Sequence, residues 1–331
     1  MKLKKCAALL LVSSCLLTGC TPSSAKKVDS KYVVASLEKG NKTKNIFADN
    51  LYKDIIDNSS NNSTVFNAVL QNLVDQKFPV NDDMKEDAAT IIKQIKSAYK
   101  SNYGDNYKDS LNQALTSAGY KNLSEYRQRM IKQIQYANFL LDYIDDNFDD
   151  VFNDYYQQCS PKYVSLIKIS VSDTSSLTDD ENSKINEVKE LINNTDKSFG
   201  DIAQDYSNDS TTSKKGSLGI VDSKDTSGIA NSYGKDVFNA IEALSEGQVS
   251  DAIAGTDGYY FVKVTNTNKK ALKKELKKTD IDSPLLAYDD YLQYVVYNSY
   301  KINYKDKDIK KIVQEVVNKA LEERKTERGE A

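Results

Sequence analysis

Four apolar stripes at helical spacing fill the first half of the chain and stop before Pro161, where the texture changes. That break divides the sequence into two kinds of folded region. Val65, Phe66, Val69, Leu70, Leu73 and Val74 make one face of a helix that Pro79 ends. Met84, Ala88, Ile91, Ile95 and Ala98 make a second. Tyr107, Leu111, Ala114, Leu115 and Ala118 make a third, stopped at Gly119, and Tyr126, Met130, Ile134, Ala137, Leu141 and Ile144 a long fourth. Ahead of them, Tyr32 to Leu37 reads as a strand closed by the turn-prone Lys39-Gly40-Asn41, with a polar Asp-Asn-Ser stretch after it. Residues 31–150 are expected to be a helical region.

Beyond Pro161, Tyr163 to Ile169 is strand-like, and helices are expected near 179–193 and 198–206. A Gly-bearing loop with Asp209, Lys215, Gly216, Leu218 and Gly219 leads to a helix near 235–244. Strands over Gln248–Ala254 and Tyr259–Val264, joined by Gly255-Thr256-Asp257-Gly258, close the segment. Residues 161–266 therefore read as a small α+β domain. Lys269 to Lys278 reads as a solvated basic face. Pro284 opens a helix carrying Leu285, Tyr288, Leu292, Val295 and Val296. Tyr300 to Tyr304 reads as a short strand, and Ile309, Ile312, Val313, Val316, Val317, Ala320 and Leu321 as a last amphipathic helix. Residues 270–331 have no core of their own. They are expected to fold back on the N-terminal region, with 300–304 pairing with 32–37. The fold class is then α+β: a helical domain built from both ends of the chain, with an inserted α+β domain.

The first twenty residues place the chain outside the cytoplasm. Lys2, Lys4 and Lys5 precede an apolar run from Ala7 to Leu17, and Leu17-Thr18-Gly19-Cys20 follows. A basic start, an apolar core too short for a permanent span and small residues before the cut define an export signal over residues 1–19. Cys20 supplies a thiol where a bacterial lipobox requires one. It is the expected site of a diacylglycerol, whose two chains give firm anchoring at the outer face of the membrane. Residues 20–30 then form a polar tether. Loss of the three lysines moves the formal charge from −3 to −6, which argues against a nucleic-acid partner. No later stretch is apolar over eighteen residues. Cys6 and Cys15 leave with the signal and Cys20 carries the lipid, so Cys159 stands alone and no internal disulfide can form.

The chain has no histidine. That excludes Ser-His-Asp and Cys-His nucleophiles and His-ligated zinc. The aspartates at 145, 146, 149, 150 and 154 lack the glycine turn and terminal glutamate of a calcium loop and read as a solvated acidic face. No metal or cofactor is expected. The 22 tyrosines reflect a general taste for Asn, Lys, Ile and Tyr rather than a binding surface.

With these motifs in place, the chain resembles the PrsA foldase lipoproteins, including the protease-maturation lipoproteins of lactic acid bacteria. Leu123-Ser124-Glu125-Tyr126-Arg127 heads a long helix as in that family. Asp201-Ile202-Ala203 with Tyr206-Ser207, then Gly216-Ser217-Leu218-Gly219, then Leu244 to Ser250, then Gly258 to Val264, fall in parvulin order and spacing. The resemblance implies an extracytoplasmic foldase that shelters newly exported chains, with a parvulin-type prolyl isomerase module. Unfolded secreted proteins would be its partners, and either a monomer or a homodimer its assembly. It also implies the site positions. The family's two histidines correspond to Leu166 and Tyr260, and its acidic or thiol position to Asp209. Phe238, Leu244 and Phe261 are candidates for the proline pocket. With both histidines gone, isomerase activity is expected to be weak or absent. A fully active isomerase using Asp209 is the alternative, and a solute-binding lipoprotein a third reading, disfavoured by the absence of repeated βαβ units.

Overall fold

The computed structural model describes residues 27–39, 42–278 and 280–330, so Cys20 and the start of the tether lie outside the described residues. The chain divides into two compact units, one of residues 80–290 and one of residues 27–79 with 291–330. The second unit opens with three strands, β1 (Lys27–Val28), β2 (Lys31–Lys39) and β3 (Lys42–Phe47), in an antiparallel sheet of that order. Helix α1 (Ala48–Ile56) and helix α2 (Asn62–Lys77) follow.

In the 80–290 unit, α3 (Asp82–Tyr103) and α5 (Leu123–Asp146) meet through Met84, Ala88, Met130, Ile131 and Ile134, beside α4 (Tyr107–Ser117). Asn81 and Asn122 cap α3 and α5, each side-chain oxygen accepting a backbone N–H of the first turn. Helix α6 (Phe148–Cys159) leads into β4 (Lys162–Ile169), α7 (Asp179–Asn194), α8 (Phe199–Tyr206) and β5 (Ser217–Val221). Then come α9 (Ile229–Tyr233), α10 (Lys235–Ala243), β6 (Ile253–Ala254), β7 (Tyr259–Asn266) and α11 (Lys269–Leu276). The strands make a four-stranded sheet in the order β5-β4-β7-β6.

Alternation along β4 and β7 sends residues to two cores. Val164, Leu166, Tyr260 and Val262 pack with Ile229, Tyr233, Val237 and Ile241 of α9 and α10. Ile167, Ile169 and Phe261 pack with Ile185, Val188, Phe199 and Ile202 of α7 and α8. The module is thus an antiparallel sheet between two helical layers. With the helical first half, this is the α+β class expected from the sequence. Every strand pairing among the described residues is antiparallel, which leaves nothing of the βαβ lobes a solute receptor would need.

At the end of the chain α12 (Leu292–Ser299) precedes α13 (Lys307–Glu327), and α13 lies along α2. Phe66 of α2 stacks on Tyr294 at 5.0 Å between ring centroids and meets Tyr297 edge-on at 5.1 Å. Three expectations need correction. Residues 301–304 form no strand. The edges of β2 are taken by β1 and β3, because a hairpin closes a shorter loop than a strand 260 or more residues away, and Tyr304 pairs instead with the Tyr297 hydroxyl at 2.6 Å. The strand expected over 248–254 is reduced to β6 and an isolated bridge from Val249 to Lys263. Pro284 opens only a single 3-10 turn to Leu286, and the helix resumes at Leu292. Of the aspartates read as a solvated face, Asp145 and Asp146 end α5 and Asp149 and Asp150 lie on α6, all exposed, while Asp154 is half-buried; α6 buries Phe148, Val151, Phe152, Tyr155 and Cys159. Among the described residues no helix is long and apolar enough to cross a membrane.

Candidate active site

The three sequence-derived positions converge on the α9/α10 side of the module sheet. In the β4–β7 register Leu166 pairs with Val262 and Lys168 with Tyr260, so Leu166 and Tyr260 are diagonal neighbours on one face. Both are fully buried. The Leu166 amide donates to the Gly216 carbonyl at 2.8 Å. Gly216 has φ +78°, and a Cβ there would stand 2.5 Å from the Leu166 carbonyl oxygen. Only glycine fits this contact between β4 and the loop after α8.

That loop carries Asp209, whose carboxylate accepts the Thr211 amide at 2.8 Å and is 7% exposed. It also accepts the phenol of Tyr233, a residue the sequence did not single out. Tyr233 ends α9 with its ring edge-on to Tyr260, 5.6 Å between centroids. Tyr260 in turn donates its hydroxyl to Asp257 in the 255–258 turn. Asp257 is also held by the Lys168 ammonium at 2.6 Å, a charge-assisted bond from the strand beside it. The result is a run of side chains, Asp209–Tyr233–Tyr260–Asp257–Lys168, in which each phenol is committed to a carboxylate. Burial raises the Tyr233 phenol above the ordinary tyrosine range, and the Asp209 charge and hydrogen bond add to it. Tyr260 is raised by burial and then by Asp257. Both are neutral donors at any physiological pH.

The backbone locks the same group. The Thr256 amide donates to the Tyr233 carbonyl at 2.9 Å, and a Cβ on Gly255 would fall 2.4 Å from the Tyr260 ring. Of the pocket candidates, Phe238 and Leu244 border this core, but Phe261 belongs to the opposite one. The one-residue step from Tyr260 forces that reversal. No signal in the sequence marked Tyr233, which stands alone between a loop and Gly234. Asp257 was visible only as a turn residue.

Residues 166–266 match the family model of the rotamase, PPIC-type PPIase domain. The module is therefore a PPIC-type, or parvulin, domain. Among known proteins, the chain is 30% identical over 159 residues to "Foldase protein PrsA" of Staphylococcus aureus (strain bovine RF122 / ET3-1), covering 46% of this chain and 47% of that one. The same figures hold for its counterpart in strain MRSA252. The chain thus aligns with about half the length of the curated relatives it matches. Among solved structures, PrsA of Streptococcus pneumoniae aligns over 85% of this chain and 99% of its own, at 20% identity and a TM-score of 0.42. PrsA of Bacillus subtilis covers 85% and 97%, at 21% identity and a TM-score of 0.38. The parvulin domain and the sequence relatives support a PrsA-type foldase.

Proposed function

We propose that the chain is an extracytoplasmic foldase that holds newly exported, unfolded proteins, anchored by a lipid on Cys20 at the outer face of the cell membrane. Its parvulin module has the fold of a prolyl isomerase with little of the turnover. The observation that carries this reading is the pairing of Tyr233 with Asp209 and Tyr260 with Asp257. Rotation about a prolyl bond crosses a barrier of about 20 kcal/mol, lowered by a polar site that fits the twisted amide better than either planar form. Here the acidic position is tied to a phenol, and the two histidine positions hold a leucine and a tyrosine packed in a core. Holding of clients is assigned to the helical parts. In the 27–79 and 291–330 unit, an apolar groove of about 450 Å³ is lined by Tyr52, Ile55, Val65, Val69, Leu73 and Ile309, among others, a surface suited to extended apolar segments.

Two assays on the same protein test this. A prolyl-peptide isomerisation assay should show only slight acceleration, while aggregation of an unfolded client should be suppressed. Isomerase activity comparable with a histidine-bearing parvulin, abolished by Asp209→Ala, would instead support the active-enzyme reading, which the burial of Asp209 beside the sheet favours. Lipid labelling lost in Cys20→Ser tests the anchor, and light scattering decides between monomer and homodimer.

A further inference from the structure

The β1–β3 sheet leaves one face uncovered, and the residues on it have a mixed chemistry. Val33 pairs with Phe47, and both are half-buried. Tyr32 and Ile46, each one residue from that pair, turn to the opposite side, and the register shift between Val33 and Ala35 leaves Val34 as the extra residue beside Ala35, the partner of Ile46. Tyr32, Val34 and Ile46 are 41%, 46% and 43% exposed, an apolar row open to solvent. Lys27 shares that side, since it pairs with Tyr32 and holds its ammonium 4.5 Å from the centre of the Tyr32 ring. Lys44, two residues from Ile46 on β3, shares it as well and is exposed. Residues 27–47 contain five lysines against Asp29 and Glu38, a net +3 in a chain whose formal charge is −3.

We infer that this face docks on an anionic lipid surface, with Tyr32, Val34 and Ile46 entering the headgroup boundary and Lys27 and Lys44 facing the phosphates. Aromatic and aliphatic groups ringed by lysine match the amphipathic layer between water and hydrocarbon, where each basic residue near an anionic surface adds its own increment of attraction. Position supports the choice of partner. Only residues 21–26 separate Cys20 from Lys27, and seven peptide steps reach at most about 25 Å. On the reading that Cys20 carries a lipid, the sheet stays within that reach of the bilayer and meets it at high effective concentration. The docked face would orient the unit that starts with β1, rather than leave it free on its tether.

The test uses the mature polypeptide from Thr21 onward, which keeps every described residue and has no acyl group. It is co-sedimented with vesicles of phosphatidylcholine alone and of phosphatidylcholine with phosphatidylglycerol. The chain should pellet with the anionic vesicles only and be released by high salt. Lys27→Gln and Lys44→Gln should each lower partition about fivefold, while Lys27→Arg with Lys44→Arg should preserve it. The pair Val34→Ser and Ile46→Ser should weaken binding with the charge unchanged, and circular dichroism should show the fold intact in every variant. Equal partition into both vesicle types, or binding indifferent to these residues, overturns the inference. So does loss of self-association or of client binding in these variants without any change at the vesicle, which would assign the face to another partner. Failure of the Cys20 reading is seen separately, as absence of lipid on the exported protein, because the vesicle assay does not use the acyl group.

Discussion

Removing a single hydroxyl, in Tyr155→Phe, tests how the parvulin module is held within its unit. Tyr155 of α6 is fully buried and donates its phenol to Asp222 Oδ2 at 2.9 Å. Asp222, just past β5, is itself fully buried. Its other donors are the Thr226 hydroxyl and the amides of Lys224 at 3.0 Å and Thr226 at 3.3 Å. The Tyr155 ring packs edge-on to Tyr288, 5.4 Å between centroids, and the Tyr288 hydroxyl donates to Asp154 at 2.8 Å. Phenylalanine keeps the ring contact and removes only the donor. A buried hydrogen bond to a charged group is worth about 1.5–3 kcal/mol. Because three donors remain on Asp222, we expect a loss of about 2 kcal/mol. For a unit of 150–250 residues that is a fall in Tm of roughly 4–8 °C.

Thermal and urea unfolding of the whole chain read this loss, and a double-mutant cycle with Asp222→Asn isolates the pairwise part. Burial, then the charge and hydrogen bond of Asp222, raise the phenol well above the tyrosine range. It stays protonated, so the effect should be flat across neutral pH. A loss below about 0.5 kcal/mol, or full additivity in the cycle, would refute the reasoning. A consequence concerns truncation. The Ser223 amide also donates to the Cys159 carbonyl at 2.8 Å, so a fragment of residues 161–266 lacks two partners of the 222–223 corner. It should melt below a fragment that begins at Phe148.

Three further outcomes are expected. Gly216→Ala places a Cβ 2.5 Å from the Leu166 carbonyl and 2.9 Å from Ala203 Cβ at φ +78°, so urea unfolding should show a loss of about 2 kcal/mol or more. Tyr233→Phe should destabilise the chain by about 1–2 kcal/mol through the lost donor to Asp209, with suppression of client aggregation unchanged. Glu181 is held down to about 2 from 4.5 by the backbone amides of Thr178 and Ser172 and the Thr178 hydroxyl. Its contribution is complete above pH 4.5 and disappears as pH falls toward 2. Glu181→Gln should therefore flatten the dependence of Tm on pH in that window and leave the slope above it alone.

What the sequence made legible follows from the range of the forces involved. Helices α2 to α5 were readable because each buries one stripe, and a stripe is a local pattern. Helix α6 has such a stripe, Phe148, Val151, Phe152, Tyr155 and Cys159, but the aspartates between these residues drew attention to its wet side. Strand β5 lies in the stretch read as a loop because Gly216 and Gly219 suggest a turn. It exists because β4 has a free edge for residues 217–221 to pair with, a fact located some fifty residues away. The 300–304 segment failed for the opposite reason. It has a strand-like composition, yet the edge it needed is filled by a nearer competitor.

The site divides in the same way. Leu166, Asp209 and Tyr260 could be placed because a resemblance fixes positions along a chain. What each one touches depends on groups that resemblance does not specify. Tyr233 reaches Asp209 only because α9 packs over the face that carries Leu166 and Tyr260. Asp257 reaches Tyr260 only because Gly255 lets the turn fold against that ring. The candidate site is thus built from phenols and carboxylates, with Tyr233 on Asp209 and Tyr260 on Asp257. Asp209, the buried acid, keeps its donors, as the cost of stranding a buried charge requires, whereas Asp257 is exposed. On the proposed reading, that is how the module keeps its fold with little turnover. The constraint on folding is satisfied by any donor of the right reach, whereas stabilising a twisted amide depends on which donor it is and where it points.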